Sequence, residues 1–358
     1  MSIPASNSHR LFQAPHLGIS PDVGNSPRLG ILGGLENRYA MELQRAAREL
    51  NIETEIIGFQ ELQTRLVPQP GILGFGHWRV DVHHRPNSQS QLPSFAAILV
   101  RSMPVGSLEQ VIFRMDALQV WQAQGIPMIN SPRCLETAID KWLTLHRLHL
   151  ASIQVPATIA CQNRHQAMEA FELLGRDVLV KPLFGGEGRG IIRLQNRDLA
   201  WRTLSTLQQL GSVLYVQQFV PHFGYDVRVL VIGQELMSIR RRAAAGEYRT
   251  NISQGGHAEV HELTDLQRDL AIRCARAVEG DVVGVDLLPG QDGQCYALEV
   301  NAVPGWKAVA DCLKVDVARR IVQYSALKMS DEWNENSHST SMSCAESQSI
   351  ESQSIGLT

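Results

Sequence analysis

The sequence predicts an α/β protein: a small Rossmann-like parallel unit followed by a larger half of antiparallel strands and helices. Three stretches carry that prediction. Residues 29–34 (LGILGG), 36–50 (ENRYAMELQRAAREL) and 53–59 (ETEIIGF) read strand, helix, strand, the βαβ unit that builds parallel sheets through right-handed crossovers. Residues 177–194 (DVLVKPLFGGEGRGIIRL) read strand, glycine-rich loop, strand. Residues 280–290 and 294–306 (GDVVGVDLLPG, QCYALEVNAVPGW) form a hairpin-like pair with an acidic residue inside each apolar strand.

At 358 residues the chain is long enough for two or three packed units. Lys and Arg total 33 against 36 Asp and Glu, a net charge of −3 that argues against a nucleic-acid binder. No apolar run approaches the roughly 20 residues of a membrane span, so no membrane is expected. The six cysteines (134, 161, 274, 295, 312, 344) are scattered without a C-x-x-C pair, which fits a reducing cytosol and a cytoplasmic protein. Residues 1–26, rich in Ser, Pro and Asn without an apolar signal core, read as a disordered lead-in. Residues 331–358, rich in Ser, Gln and Glu, read as a disordered tail.

In the first unit, Tyr39, Leu43, Ala46, Ala47 and Leu50 keep the spacing of one helix face. Residues 64–94 show little periodicity and read as a long loop or small hairpin. Their His77, His83 and His84 lack companion ligands and read as surface residues. Residues 94–100 then give a strand, 107–125 a helix and 127–130 another strand. Gly30, Gly33 and Gly34 hint at a nucleotide loop, for which a tight turn is the simpler reading.

In the second half, SPRCLETAI precedes a helix opened by Asp140-Lys141, with Trp142, Leu143, Leu145 and Leu148 marking its apolar face, and then a strand-like VPAT at 155–158. A lysine at a helix start opposes the macrodipole. Together with Lys181, at the end of the apolar strand 178–180, it suggests two cations converging on a polyphosphate. The glycines that follow (Gly185, Gly186, Gly188, Gly190) suit a loop whose N–H groups close on an anion. No Gly-Lys-Ser/Thr opens a helix, so this is not a Walker A loop. Residues 167–175 and 198–211 read as helices and 212–220 as a strand. Residues 225–242 read as two strands around a Gly-Gln turn. Period-2 alternation puts Asp226 and Arg228 on one face, and Arg228 in an apolar strand suggests a cleft for anions. The same alternation makes Glu299 and Asn301 share a face, with Asp286 on the neighbouring strand. Three oxygen ligands without Cys or His suit Mg²⁺.

These residues together resemble the ATP-grasp superfamily, and within it the RimK-type α-L-glutamate ligases. The matching pieces are 140–141 (DK), 180–190 (VKPLFGGEGRG), 217–220 (QQFV), 226–233 (DVRVLVIG), 242–256 (RAAAGEYRTNISQGG), 284–288 (GVDLL) and 298–305 (LEVNAVPG). The resemblance covers Arg28 to Leu327 apart from the loop at 64–94. It implies a pre-ATP-grasp domain over 27–130 and an ATP-grasp domain over 131–330, with a central subdomain at 141–215 and a C-terminal subdomain at 216–330.

By the same resemblance, Lys141 and Lys181 hold the α- and β-phosphates of ATP. Gly185, Gly186, Glu187, Gly188 and Gly190 form a mobile lid, and Gln218, Phe219 and Val220 the adenine hinge. The family usually has Glu where Gln218 stands. Asp226 is grouped with the nucleotide-binding residues. Asp286, Glu299 and Asn301 resemble ligands of two Mg²⁺ (or Mn²⁺) ions. Arg228, Arg241, Arg249 and Asn251 resemble the positions that grip the γ-phosphate and the carboxylate being activated; within the Arg240–Arg242 run the family pattern favours Arg241. The implied reaction passes a phosphoryl group from ATP to a substrate carboxylate, and an amine then displaces phosphate from the acyl phosphate. The resemblance implies the amine of L-glutamate and an acidic acceptor: a tetrahydromethanopterin-like coenzyme, the reading taken here, or the C-terminus of a ribosomal protein. It also implies a homo-oligomer. The rivals are a D-alanine–D-alanine-type ligase, for which the arginine-rich stretch 240–249 suits an acidic substrate better, and a non-enzymatic ATP-binding protein, which would have lost a lysine or a metal ligand.

Overall fold

A computed structural model describes residues 28–34, 36–68, 78–83, 95–186, 188–250 and 255–329. The lead-in at 1–26, the tail at 331–358, His77, His84, Glu187 and Asn251 lie outside the described residues.

The first unit is a parallel sheet of β1 (Arg28–Leu32), β2 (Glu53–Ile57), β5 (Phe95–Val100) and β6 (Met128–Ile129), in the order β2-β1-β5-β6. Between β2 and β5, β3 (Gln63–Pro68) pairs antiparallel with β4 (Trp78–His83), so the stretch 64–94 contains a hairpin. Helix α1 (Arg38–Glu49) starts where the Asn37 side chain accepts the Tyr39 amide; α2 (Leu108–Ala123) starts with a Ser107–Gln110 capping box. The two helices cover opposite faces, because alternate strand residues point opposite ways. Leu29, Ile31, Ala97 and Leu99 meet α1, whereas Leu32, Ile98 and Val100 meet α2. A strand covered on both faces is apolar throughout, as β5 is.

Helices α3 (Pro132–Ile139) and α4 (Lys141–Leu150) follow. The central sheet then comprises β7 (Thr158–Cys161), β8 (Val178–Lys181), β9 (Ile192–Leu194) and β10 (Leu214–Gln218), all antiparallel, in the order β7-β10-β8-β9. The strand expected at 155–158 begins only at Thr158, since Pro156 has no N–H to give a ladder. Helices α5 (Arg164–Leu173) and α6 (Arg197–Gln209) cover one face, meeting Val178, Val180, Leu214 and Val216. Alternation turns Leu179, Lys181, Tyr215 and Gln217 to the other face.

The last sheet holds β11 (Tyr225–Ile232), β12 (Glu235–Arg242), β13 (His257–Val260), β14 (Val282–Pro289) and β15 (Cys295–Asn301) in the order β13-β12-β11-β14-β15. One face (Val227, Val229, Val283, Val285, Leu287) packs on α3, α4 and α7 (Asp265–Ala277) through Cys134, Leu145, Leu148 and Leu270. Helix α4 is thus seated under this sheet, with the half-buried Lys141 at its start. The other face (Leu230, Ile232, Met237, Ile239) shares a core with α1, α8 (Lys307–Leu313) and a helix α9 over residues 317–329.

Asn130 joins the first unit to this sheet. Its amide donates to the carbonyls of Val282 (2.8 Å) and Ala302 (2.7 Å) and accepts the amides of Asp281 (2.7 Å) and Val282 (2.8 Å). Nearby, the buried Arg101 donates to Val303 O (3.2 Å) and Pro304 O (2.7 Å) between the rings of Tyr39 and Trp306. At roughly 1 kcal/mol for each hydrogen bond, Asn130→Ala is expected to cost about 4 kcal/mol, read as a lowered urea midpoint. An unchanged midpoint contradicts that account.

Candidate active site

A cleft lies between the inner face of the central sheet and the β11–β14–β15 edge of the five-stranded sheet. Leu179, Lys181, Phe219, Arg241, Asp286 and Glu299 are among its lining residues. Two hydrogen-bonding strands bring its acids together: Asp286 of β14 stands opposite Glu299 of β15, and Asn301 opposite Gly284.

The two carboxylates differ. Asp286 accepts Arg228 Nη1 at 2.6 Å on one oxygen and Arg241 Nη2 at 2.9 Å on the other. Burial alone would raise it, but the two guanidinium groups outweigh burial and hold it down at about 2. Among the described residues none hydrogen-bonds or ion-pairs with the Glu299 carboxylate. Burial and the neighbouring Asp286 charge push Glu299 up, against the pull of Arg228, Lys141 and Lys181. Asn301 Oδ1 accepts the Val303 amide at 2.9 Å.

This donor set fits a hard divalent cation. Two facing carboxylates repel, a bound cation would relieve that repulsion, and each Asp286 oxygen keeps a second lone pair beyond its arginine bond. No group of three or more His, Cys, Asp or Glu side chains able to hold a metal occurs among the described residues, so the amide of Asn301 would have to complete the set.

Two arginines, Arg241 and Arg249, line the cleft. Arg241 is bidentate to Asp226 (Nε–Oδ1 2.8 Å, Nη2–Oδ2 2.6 Å), and Thr250 Oγ1 adds a 2.6 Å bond to the same carboxylate. Asp226 therefore lines the cleft with both oxygens engaged, and acts on it through Arg241. The neighbours of Arg241 point away: Arg240 and Arg242 both bond Glu259. Arg249 lines the cleft and pairs with Glu247 at 2.7 Å; that bond, with two backbone amides, holds Glu247 at about 2.

Lys181 lines the cleft from the central sheet, whereas Lys141 is not among its lining residues and reaches the glycine loop. Lys141 donates to Gly185 O (2.5 Å) and Leu183 O (3.4 Å), tying the start of α4 to the glycine loop. Lys181 donates to Gln217 Oε1 at 2.6 Å, and burial brings it down to about 8. In the loop between them, Gly190 has φ +73°, and a Cβ there would lie 2.8 Å from Pro182. Only glycine meets both demands.

The stretch expected to form the hinge, residues 218–220, is partly committed. The Gln218 amide donates to Ala157 O (2.8 Å) and the Phe219 amide to Asp177 O (2.9 Å), whereas among the described residues the Val220 amide has no backbone acceptor. Val220 is thus the amide of the three available to a ligand. The Phe219 ring lies 3.4 Å from the Arg193 guanidinium carbon and edge-on to Tyr248; Arg193 is itself bidentate to Asp177.

Sequence reasoning missed Gln217, Asp177, Arg193, Glu247 and Thr250. For Gln217 a signal existed, since alternation in LYVQQ sets it beside Tyr215 and away from Val216. The others are paired by folding, with no spacing rule to announce them.

Residues 138–325 match the RimK-like ATP-grasp domain. A tetrahydromethanopterin:alpha-L-glutamate ligase of Methanosarcina acetivorans is 30% identical over 261 residues, which are 65% of this chain and 80% of that protein. A ribosomal protein bS6--L-glutamate ligase of Salmonella newport is 30% identical over 237 residues, 65% and 77% respectively. Among solved structures, the ATP-grasp ligase PsnB complexed with minimal precursor shares the fold at a TM-score of 0.65 and 20% identity, over 85% of this chain and 99% of that one. The chain belongs to the RimK-like ATP-grasp family and is an ATP-grasp ligase.

Proposed function

We propose that the protein uses ATP and Mg²⁺ to join the amine of L-glutamate to the carboxylate of an acidic acceptor, a coenzyme of the tetrahydromethanopterin kind, through an acyl phosphate. The observation that carries this reading is the convergence of Lys181, Arg241, Asp286 and Glu299 on one cleft, with Arg228 bonded to Asp286. The two 30% identical relatives, both named as glutamate ligases, support the amine.

Lys141 and Lys181 neutralise the phosphates, and the glycine loop encloses them. The Val220 amide meets the base edge. Arg228 and Arg241 sit where charge grows on the transferring phosphoryl and the acceptor carboxylate, held by Asp226 and Asp286 so that they need no reorganisation. A divalent ion held by Asp286, Glu299 and Asn301 supplies charge neutralisation between phosphates when bound. The acceptor carboxylate attacks the γ-phosphorus and ADP leaves. The glutamate amine then attacks the acyl carbon, phosphate leaves, and the amine loses its proton. No protein nucleophile takes part. Positioning supplies most of the acceleration.

The test offers ATP, Mg²⁺ and L-glutamate with a pterin coenzyme or a ribosomal-protein C-terminal peptide, and reads added glutamyl mass. Glutamylation of the coenzyme is expected. Glutamylation of the peptide alone reassigns the acceptor, and ADP release only with another amino acid reassigns the amine.

A further inference from the structure

Lys181 reaches the cleft without a carboxylate bonded to it among the described residues; its bonded partner is a neutral amide. That amide belongs to Gln217, which is 1% exposed. The orientation of the amide is fixed by its other end. Gln217 Nε2 donates to Thr158 Oγ1 (2.9 Å) and to Tyr215 Oη (3.2 Å), while the Thr158 hydroxyl spends its own hydrogen on Pro156 O (2.9 Å). The threonine oxygen is left as an acceptor, so Oε1 must face the lysine. Strand register builds this arrangement: Gln217 stands opposite Thr158 of β7, and Tyr215 opposite Lys181 of β8.

We propose that Gln217 is a positioning residue: it aims the Lys181 ammonium at the phosphates of the bound nucleotide while adding no negative charge of its own. This rests on the nucleotide reading above. An ammonium has three donors. One bond to a neutral oxygen fixes its direction and leaves two donors and the full charge for a phosphate. A carboxylate at the same place would neutralise the lysine and compete with the ligand.

The experiment compares binding of Mg²⁺–ATP and of adenosine by calorimetry in the wild type, Gln217→Leu and Gln217→Glu, with the ligand-free thermal midpoint as the fold control. Gln217→Leu is expected to weaken ATP about tenfold and leave adenosine unchanged, because the lysine touches only phosphates. Gln217→Glu, close in shape and the variant that carries the test if the leucine variant fails to fold, is expected to weaken ATP further. Adding Lys181→Met should make ATP affinity the same whether residue 217 is Gln or Leu. Equal loss of ATP and adenosine, or unchanged ATP affinity, overturns the inference while the nucleotide reading stands. A wild type that binds no ATP overturns that reading and the inference with it.

Discussion

Glu299→Gln should remove ligase turnover by about a thousandfold or more while the ligand-free protein keeps, or slightly gains, stability. The carboxylate has no hydrogen-bonding partner among the described residues, and burial and the Asp286 charge both oppose its ionisation. A neutral amide of the same shape removes that repulsion, so folding loses nothing. What is lost is one of the two charges that would face the proposed cation. Two readouts separate the roles: ADP release, and Mn²⁺ binding by paramagnetic resonance in the presence of ATP. Turnover at the wild-type level, or unchanged Mn²⁺ binding, would remove Glu299 from the metal set.

Arg241→Met should be the most destabilising single change in the cleft, at about 3–5 kcal/mol. Arg241 bonds two buried carboxylates, Asp226 and Asp286, and removing it leaves Asp226 with Thr250 and Asp286 with Arg228 alone. A buried charge deprived of its partner keeps its desolvation cost and loses its compensation. Arg241→Lys should recover part of the loss, since an ammonium reaches one acid but lacks the planar fork that serves both. Denaturant unfolding reads this directly. A midpoint unchanged in Arg241→Met would mean that the acids rest on other groups.

Much of this site was readable before any fold was known, because alternation along a strand is a local property. It placed Glu299 with Asn301 and Asp226 with Arg228, and the family pattern favoured Arg241 within a run of three arginines. That Asp286 stands opposite Glu299 was not readable: the regular register of the hairpin would set it opposite Leu298, and a bulge after Asp286 shifts the pairing by one residue. Which element covers a face is not local. Leu145 and Leu148 announce a helix, but their partners Val229 and Val285 lie some 80–140 residues onward. Asn130 looks like a turn residue until its four bonds to residues 281, 282 and 302 are seen. Residues 132–139 did carry a helix signal, a serine cap followed by proline at the first position, which is the pattern that starts α3. The hinge shows the remaining gap: sequence marks Gln218, Phe219 and Val220 alike, yet two of the three amides are spent on Ala157 and Asp177.

The central claim is transfer of a phosphoryl group from ATP to the acceptor carboxylate, and oxygen labelling tests it most directly. With acceptor carrying ¹⁸O in its carboxylate, the account predicts ADP and inorganic phosphate in which one oxygen per amide formed is ¹⁸O. Phosphate without label, or AMP and pyrophosphate as products, would contradict it.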